Sequence, residues 1–240
     1  MVKKTPLLVT LYTIAFLLFT LPSTIKANPS LITLSNHSNS LIYLPKDFQK
    51  NKKTPYILIL HDRYKSNLSS IKTWQKIADE ENYILLCLEG QSFKQAYTRA
   101  PIDDRKQCVG FHKWLVHNYQ IDIKDSLLVG HGRGGNFALE TALLYPKTFP
   151  NAIIHHGYLN KNMKPKLKKQ LNTDKLNDSY LYLITTKHHP TYHNLVQTRQ
   201  MLGNQKTNSQ IQVDPAITLL AHIKKINQWK ERKESKHALY

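Results

Sequence analysis

The chain has 240 residues and carries 34 Lys and Arg against 16 Asp and Glu, a formal net charge of +18. This length fits one domain with a sizeable core, and the charge favours anionic partners. No nucleic-acid-binding motif accompanies the charge and no zinc-finger spacing occurs, so specific nucleic-acid recognition and a structural zinc site are not expected. The lysine clusters at 161–169 and 224–236 are typical of solvated faces on a basic protein.

The first 27 residues have the pattern of a secretory leader. Lys3 and Lys4 precede an apolar run over 7–21, and Ile25-Lys26-Ala27 is a plausible cleavage site. The run is short for a membrane span, which needs about 20 residues. We expect cleavage after Ala27 and a secreted or periplasmic protein, with a retained anchor as the alternative. Residues 28–240 are then a single domain, expected to be a monomer.

Strand and helix patterns alternate along the rest of the chain. Alternating or continuous apolar runs predict strands at 30–35, 40–44, 56–60, 83–88, 126–130, 152–156, 180–185 and 210–213. Helical spacing predicts helices at 69–81, 103–119, from the glycines near 132 to Pro146, 191–202 and 216–232. This order indicates a three-layer α/β fold, a mostly parallel sheet of about eight strands with helices on both faces.

The two cysteines lie in apolar patterns. Cys87 belongs to a strand, and Cys108 shares a helical stripe with Phe111 and Leu115, so both could face the same layer. In an exported protein they could pair, but the sequence favours two buried free thiols.

Half of the eight glycines fall within 130–135, between a strand and a helix. This arrangement has the shape of the G-x-S-x-G nucleophile elbow, in which a serine stands at the strand end above helix N–H groups. Gly132 occupies the serine position. Gly130, Gly132 and Gly135 also match the dinucleotide fingerprint G-x-G-x-x-G, but the next strand ends in His155-His156 without the acid that this fingerprint needs.

Three segments resemble the α/β-hydrolase fold family. They are LIYLPKDF…TPYILILHD, ILLCLEGQS and DDRKQCVGFHKWLVHNYQIDIKDSLLVGHGRGGNFAL. Within that family they are most similar to secreted esterases of the poly(3-hydroxybutyrate) depolymerase and feruloyl esterase type. The resemblance covers roughly residues 40 to 230 and implies a serine–histidine–acid triad with an oxyanion hole.

The catalytic positions that the resemblance implies are all changed. Gly132 stands for the serine, His189 for the acid, and Leu219 for the histidine base, with His222 three residues late. The oxyanion turn, normally His-Gly, reads His61-Asp62, and a carboxylate there would repel an oxyanion unless it pointed away. We therefore predict a hydrolase fold without hydrolase chemistry, with no catalytic residue and no cofactor.

A binding site at the carboxyl ends of the strands is the predicted role of this region. The ligand is expected to be an unknown small molecule, anionic or acyl-bearing, held by free N–H groups at the start of the helix beside Arg133. Peripheral contact with an anionic membrane surface is a further candidate. The predicted binding residues are His61, Asp62, His131, Gly132, Arg133, His188 and His189.

Two alternatives stay open at this point. A displaced nucleophile, Ser92 or Ser126, would leave an active carboxylic ester hydrolase. The histidines at the strand ends, His155 and His156 among them, could instead ligate a transition metal with Asp62 as an oxygen ligand.

Overall fold

The computed structural model describes residues 30–34, 40–90, 97, 103–159, 165, 179–203 and 208–213, with 30–34, 203 and 208–213 described by their backbone alone. The predicted leader, the lysines of both clusters and the helix expected over 216–232 lie outside these ranges. Within the described ranges, no helix has the length and apolar content needed to cross a bilayer.

In the part of the chain that the structure describes, eight strands form one sheet, as predicted. They are β1 Ser30–Leu34, β2 Ser40–Leu44, β3 Tyr56–Leu60, β4 Ile84–Cys87, β5 Leu127–His131, β6 Asn151–His155, β7 Tyr180–Thr185 and β8 Asn208–Val213. The order across the sheet is β1-β2-β4-β3-β5-β6-β7-β8. Six neighbouring strands of the sheet run parallel, namely β4, β3, β5, β6, β7 and β8. At the β4 edge, β2 pairs antiparallel with β4, and β1 pairs antiparallel with β2. The carboxyl ends of β3, β5, β6 and β7 therefore meet along one edge of the sheet.

Among the described residues, four helices cover both faces of this sheet. They are α1 Asn67–Glu81, α2 Asp104–Asn118, α3 Gly132–Leu144 and α4 Tyr192–Gly203. One face packs against α1 and the other against α2, α3 and α4, because successive side chains of a strand point to opposite faces. The structure confirms the three-layer α/β prediction. Helix α1 begins two residues before the predicted start because Ser66 caps it, its Oγ accepting the Ser69 N–H at 3.2 Å.

The two cysteines lie on opposite faces of the sheet. Cys87 packs in the layer between β3 and α1, and Cys108 in the layer that contains α2 and α3. Both are free and buried, and burial raises the pKa of each thiol. The prediction that both face the same layer is therefore wrong, because the register of β4 turns Cys87 towards the other face.

A buried ion-pair network joins α2 to α3. The Arg105 guanidinium contacts Asp103 Oδ2 at 2.7 Å through Nη2 and Glu140 Oε2 at 3.2 Å through Nη1. Glu140 is fully buried, so its carboxylate depends on such partners in place of water.

Replacement of Arg105 by Met is expected to lower the free energy of unfolding by about 3 kcal/mol, because the buried Glu140 carboxylate loses the guanidinium while keeping its desolvation cost. Lys76→Ala is the matched control, since it removes an exposed pair with Glu80 and should cost less than about 0.5 kcal/mol. Chemical denaturation measures both values. Equal losses in the two variants would contradict a structural role for the buried network.

Candidate functional site

The turn between β5 and α3 has the backbone of a nucleophile elbow. Strand β5 ends at His131, helix α3 begins at Gly132, and Gly132 has a φ of +50°. Residues with a Cβ resist this left-handed conformation, whereas glycine adopts it without steric cost. The elbow shape expected from the glycines is therefore present, with glycine at its tip.

Gly134 allows β3 to approach the first turn of α3. A Cβ built on Gly134 would overlap the carbonyl oxygens of Leu60 and His61 at the end of β3. The missing side chain lets the two backbones touch. This close approach positions the residue that follows, Asp62, beside Gly132.

The Asp62 carboxylate occupies the space of a nucleophile side chain. A Cβ built on Gly132 would lie within 2.5 Å of all three carboxyl atoms, Oδ1, Cγ and Oδ2. Asp62 Oδ1 accepts the backbone N–H of Arg133 at 2.9 Å and that of Arg63 at 2.7 Å. Donors at these two places, after the elbow tip and in the loop after β3, are the ones that the hydrolase fold aims at an oxyanion. One carboxylate oxygen therefore stands where an oxyanion would develop.

This contact corrects the expectation of an open anion cradle. The Arg133 N–H, expected to be available to an anionic ligand, is already donated to Asp62. The carboxylate does not point away from the helix start, and its charge repels any second anion placed there. A dinucleotide would place its pyrophosphate at the N-terminus of α3, and the Asp62 carboxylate already occupies that position. This contact counts against the dinucleotide alternative.

The loop after β3 is held as a tight turn. The Lys65 N–H donates to the Asp62 carbonyl at 3.1 Å, and Tyr64 has a φ of +61°. At the root of the loop, the His61 N–H donates to Tyr97 Oη at 2.8 Å, and this hydroxyl donates to the Leu88 carbonyl at 3.1 Å. Sequence analysis missed Tyr97, because nothing in the pattern of its loop marks a buried tyrosine.

A cleft of about 280 Å³ opens over the elbow, and we call it the elbow cleft. Asp62 supplies the only carboxylate among the described residues that line it. His189 stacks on His156 with ring centroids 3.8 Å apart, and its Nδ1 lies 2.7 Å from Thr191 Oγ1. The lining residues are Asp62, Arg63, Gly132, Arg133, Asn136, His156, Tyr158, His189 and Thr191.

A second cleft of about 270 Å³ lies on the other side of Asp62, towards α1. The second cleft is lined by His61, Asp62, Lys65, Ser69, Ser70, Thr73, Trp74 and His131. Asp62 therefore forms part of the wall of both clefts.

A second stacked histidine pair lies beside the elbow. His131 and His155, paired across β5 and β6, have ring centroids 4.4 Å apart and an interplanar angle of 15°. The pKa of His131 is lowered to about 4, mainly because the imidazole is buried. Asp62 opposes this shift, and the neighbouring His156 adds to it. Burial also lowers the pKa of His156, as does the neighbouring His189.

These stacked pairs count against the metal alternative. The in-plane lone pairs of two parallel imidazoles run side by side, whereas two ligands of one metal ion must converge on it. No group of three or more His, Cys, Asp or Glu side chains with metal-binding geometry occurs in the described ranges.

The structure brings some of the predicted binding residues together and separates others. Asp62, Gly132, Arg133 and His189 line the elbow cleft, and His61 and His131 line the second cleft with Asp62. His188 is exposed and lines neither cleft. Leu219, His222 and Ser92 lie outside the described residues.

Ser126 is a structural residue. Its Oγ accepts the Tyr56 N–H at 3.0 Å and donates to the Asp122 carbonyl at 2.6 Å. It lies directly before β5, at the opposite end of the strand from the elbow. It is therefore no candidate for a displaced nucleophile at this site.

The low pKa of His131 predicts that stability falls between pH 6.5 and about pH 4. In this window the unfolded chain binds a proton at His131 and the folded chain does not, so the free energy of unfolding decreases as the pH falls, by about 3 kcal/mol in total. Denaturation of the His131→Asn variant across this range should show a shallower slope than the parent. Identical slopes would contradict a buried neutral imidazole at 131.

The contact between Asp62 and Gly132 predicts a coupled effect of substitution. Gly132→Ala is expected to lower the free energy of unfolding by about 2 kcal/mol, because the added Cβ overlaps the carboxyl group and the left-handed backbone disfavours it. In an Asp62→Gly background this penalty should fall by about 1 kcal/mol, since only the backbone cost is left.

Gly110→Ala is the matched control for this cycle. Gly110 lies inside α2, where an added Cβ meets no atom within 4 Å, so the substitution should raise the free energy of unfolding by about 1 kcal/mol. Urea denaturation of the five proteins measures the cycle. A penalty for Gly132→Ala that is the same in both backgrounds would show that Asp62 does not occupy this space.

Solved structures similar to this chain include esterases and a fluorophosphonate-binding serine hydrolase. A ferulic acid esterase is 13% identical with a TM-score of 0.62, over 78% of this chain and 90% of that chain. Fluorophosphonate-binding serine hydrolase F of Staphylococcus aureus, in a substrate-bound structure, is 13% identical with a TM-score of 0.64, over 84% of this chain and 97% of its own. An esterase of Rhizomucor miehei is 11% identical with a TM-score of 0.61, over 100% and 95%.

At these identities the likeness shows the α/β-hydrolase fold alone. A search of curated protein sequences finds no match. The model of one family, described as "Putative esterase", matches residues 33–238, which is most of the chain. The chain therefore belongs to this esterase family and has its α/β-hydrolase fold.

Proposed function

We propose that this member of the esterase family is an exported protein that binds an acyl-bearing ligand in the elbow cleft without cleaving it. The observation that carries the proposal is the Asp62 carboxylate, which fills the space of the nucleophile side chain and takes the Arg133 N–H. Gly132 has no atom that could attack an ester carbonyl. The two N–H groups that would stabilise an oxyanion, those of Arg133 and Arg63, already donate to the Asp62 carboxylate.

The acid position supports the same proposal. A histidine base needs a carboxylate behind it that fixes its tautomer and stabilises its charged form. At this position His189 stacks on His156 instead, and its Nδ1 accepts the Thr191 N–H at 3.3 Å. Two neighbouring imidazoles cannot supply the negative charge that a carboxylate would.

The cleft also restricts the chemistry of its ligand. A group placed over the elbow faces the Asp62 carboxylate, so it must donate a hydrogen bond or carry positive charge. A carboxylate or phosphate elsewhere on the ligand would instead find the side chains of Arg63 and Arg133, which line the same cleft. The ligand that fits is thus an acyl compound with a hydroxyl or amine near its head, and any anionic group lies towards the arginines.

The activity test uses the purified full chain with a panel of short and medium acyl esters and with a fluorophosphonate label. We expect no turnover and no label, and no gain from Gly132→Ser, because the serine side chain would overlap Asp62. Turnover that is lost in Ser92→Ala would contradict the proposal and establish an ester hydrolase with a displaced nucleophile.

The binding test follows the thermal midpoint of unfolding as a hydroxylated acyl ester is added. His189→Ala should reduce the ester-induced rise, because His189 lines the elbow cleft. His188→Ala is the matched control, since the adjacent exposed imidazole lines neither cleft. An equal rise in both variants, or none in the parent, would count against binding in this cleft.

A further inference from the structure

The turn after β3 carries an aromatic side chain in an unusual setting. Tyr64 is 82% exposed, the most exposed large hydrophobic residue in the described ranges, and its φ of +61° belongs to a region that bulky residues rarely adopt. The Lys65 N–H bond to the Asp62 carbonyl closes a tight turn with Tyr64 at its third position, where a positive φ normally selects Gly or Asn. Strained backbone of this kind, with a bulky ring pointing into water, does not stabilise the fold and points to a role in recognition.

The residues that follow add apolar surface and positive charge. Leu68, in the first turn of α1, is 40% exposed. Lys72 and Lys76 follow Leu68 in α1 at intervals of four residues, so they lie on the same side of the helix as Leu68. From position 63 to position 78 the chain contains four cations and no acid, although Asp79, Glu80 and Glu81 follow directly and Lys76 pairs with Glu80.

We propose that these residues form a docking patch for an anionic lipid surface, and we call it the Tyr64 patch. Its members are Arg63, Tyr64, Lys65, Leu68, Lys72 and Lys76. All four cations are exposed, and a tyrosine has the apolar ring and polar tip that suit the boundary between headgroups and acyl chains. The positive charge is complementary to anionic headgroups, and two exposed apolar side chains suit shallow, reversible contact.

Docking through this patch would face both clefts towards the lipid. Arg63 lines the elbow cleft and Lys65 lines the second cleft, while Tyr64 between them lines neither. The ring would enter the interface between the two openings. The inference goes beyond the proposed binding role and does not depend on it, because it rests on the turn and on the exposed face of α1.

The test places a fluorescent indole at the tip of the patch. The full chain with Tyr64→Trp is mixed with vesicles of brominated phosphatidylcholine and phosphatidylglycerol, since bromine quenches an indole that reaches the acyl chains. Val116→Trp is the matched control: Val116 is 44% exposed but lies on α2, which covers the opposite face of the sheet from α1. We expect the emission added by Tyr64→Trp to be quenched and that added by Val116→Trp to persist.

The second part of the quenching experiment varies the charge of the lipid and the charge of the patch. Quenching of the Tyr64→Trp indole should be lost in vesicles without phosphatidylglycerol. Half-maximal quenching should require about fivefold more anionic lipid in the Lys72→Ser variant. The Lys113→Ser variant is the control and should require no more than the parent, because Lys113 is an exposed lysine of α2. His189→Ala in the elbow cleft should leave the quenching unchanged. Equal quenching at positions 64 and 116, none at 64, or quenching that is the same without anionic lipid would overturn the proposal.

Discussion

The bond from the Arg133 N–H to the Asp62 carboxylate determines the chemistry of the whole site. It joins the loop after β3 to the start of α3, and it places a carboxylate in front of N–H groups that a hydrolase of this fold aims at an oxyanion. This bond requires glycine at positions 132 and 134. A side chain on Gly132 would displace the Asp62 carboxyl group, and one on Gly134 would displace the end of β3. The missing side chain at position 132 and the bond from the Arg133 N–H to the Asp62 carboxylate are thus parts of a single packing arrangement.

The described fold could be predicted from the sequence because buried parallel strands are nearly continuous apolar runs. Tyr56–Leu60 and Tyr180–Thr185 show this pattern, and both strands begin and end where predicted. The elbow could be predicted for the same local reason, since its glycines stand between a strand pattern and a helix pattern.

The interior of the site could not be predicted, because its contacts join distant residues. Asp62 and Arg133 are 71 positions apart, and the two histidine stacks form only when the ends of β5, β6 and β7 are side by side. Sequence analysis identified Asp62 as a departure from the family pattern but could not tell where its carboxylate would point. Tyr97, which ties together the ends of β3 and β4, lies in a loop without periodicity, so no pattern marked it.

The overlap between a Gly132 Cβ and the Asp62 carboxyl group also makes these two positions interdependent. A serine introduced at the elbow tip would meet the carboxylate and carry a steric penalty. Removal of the Asp62 carboxylate alone would free two N–H groups without placing a nucleophile beside them. Neither single substitution is therefore expected to create an ester-cleaving site, so both positions would have to change together.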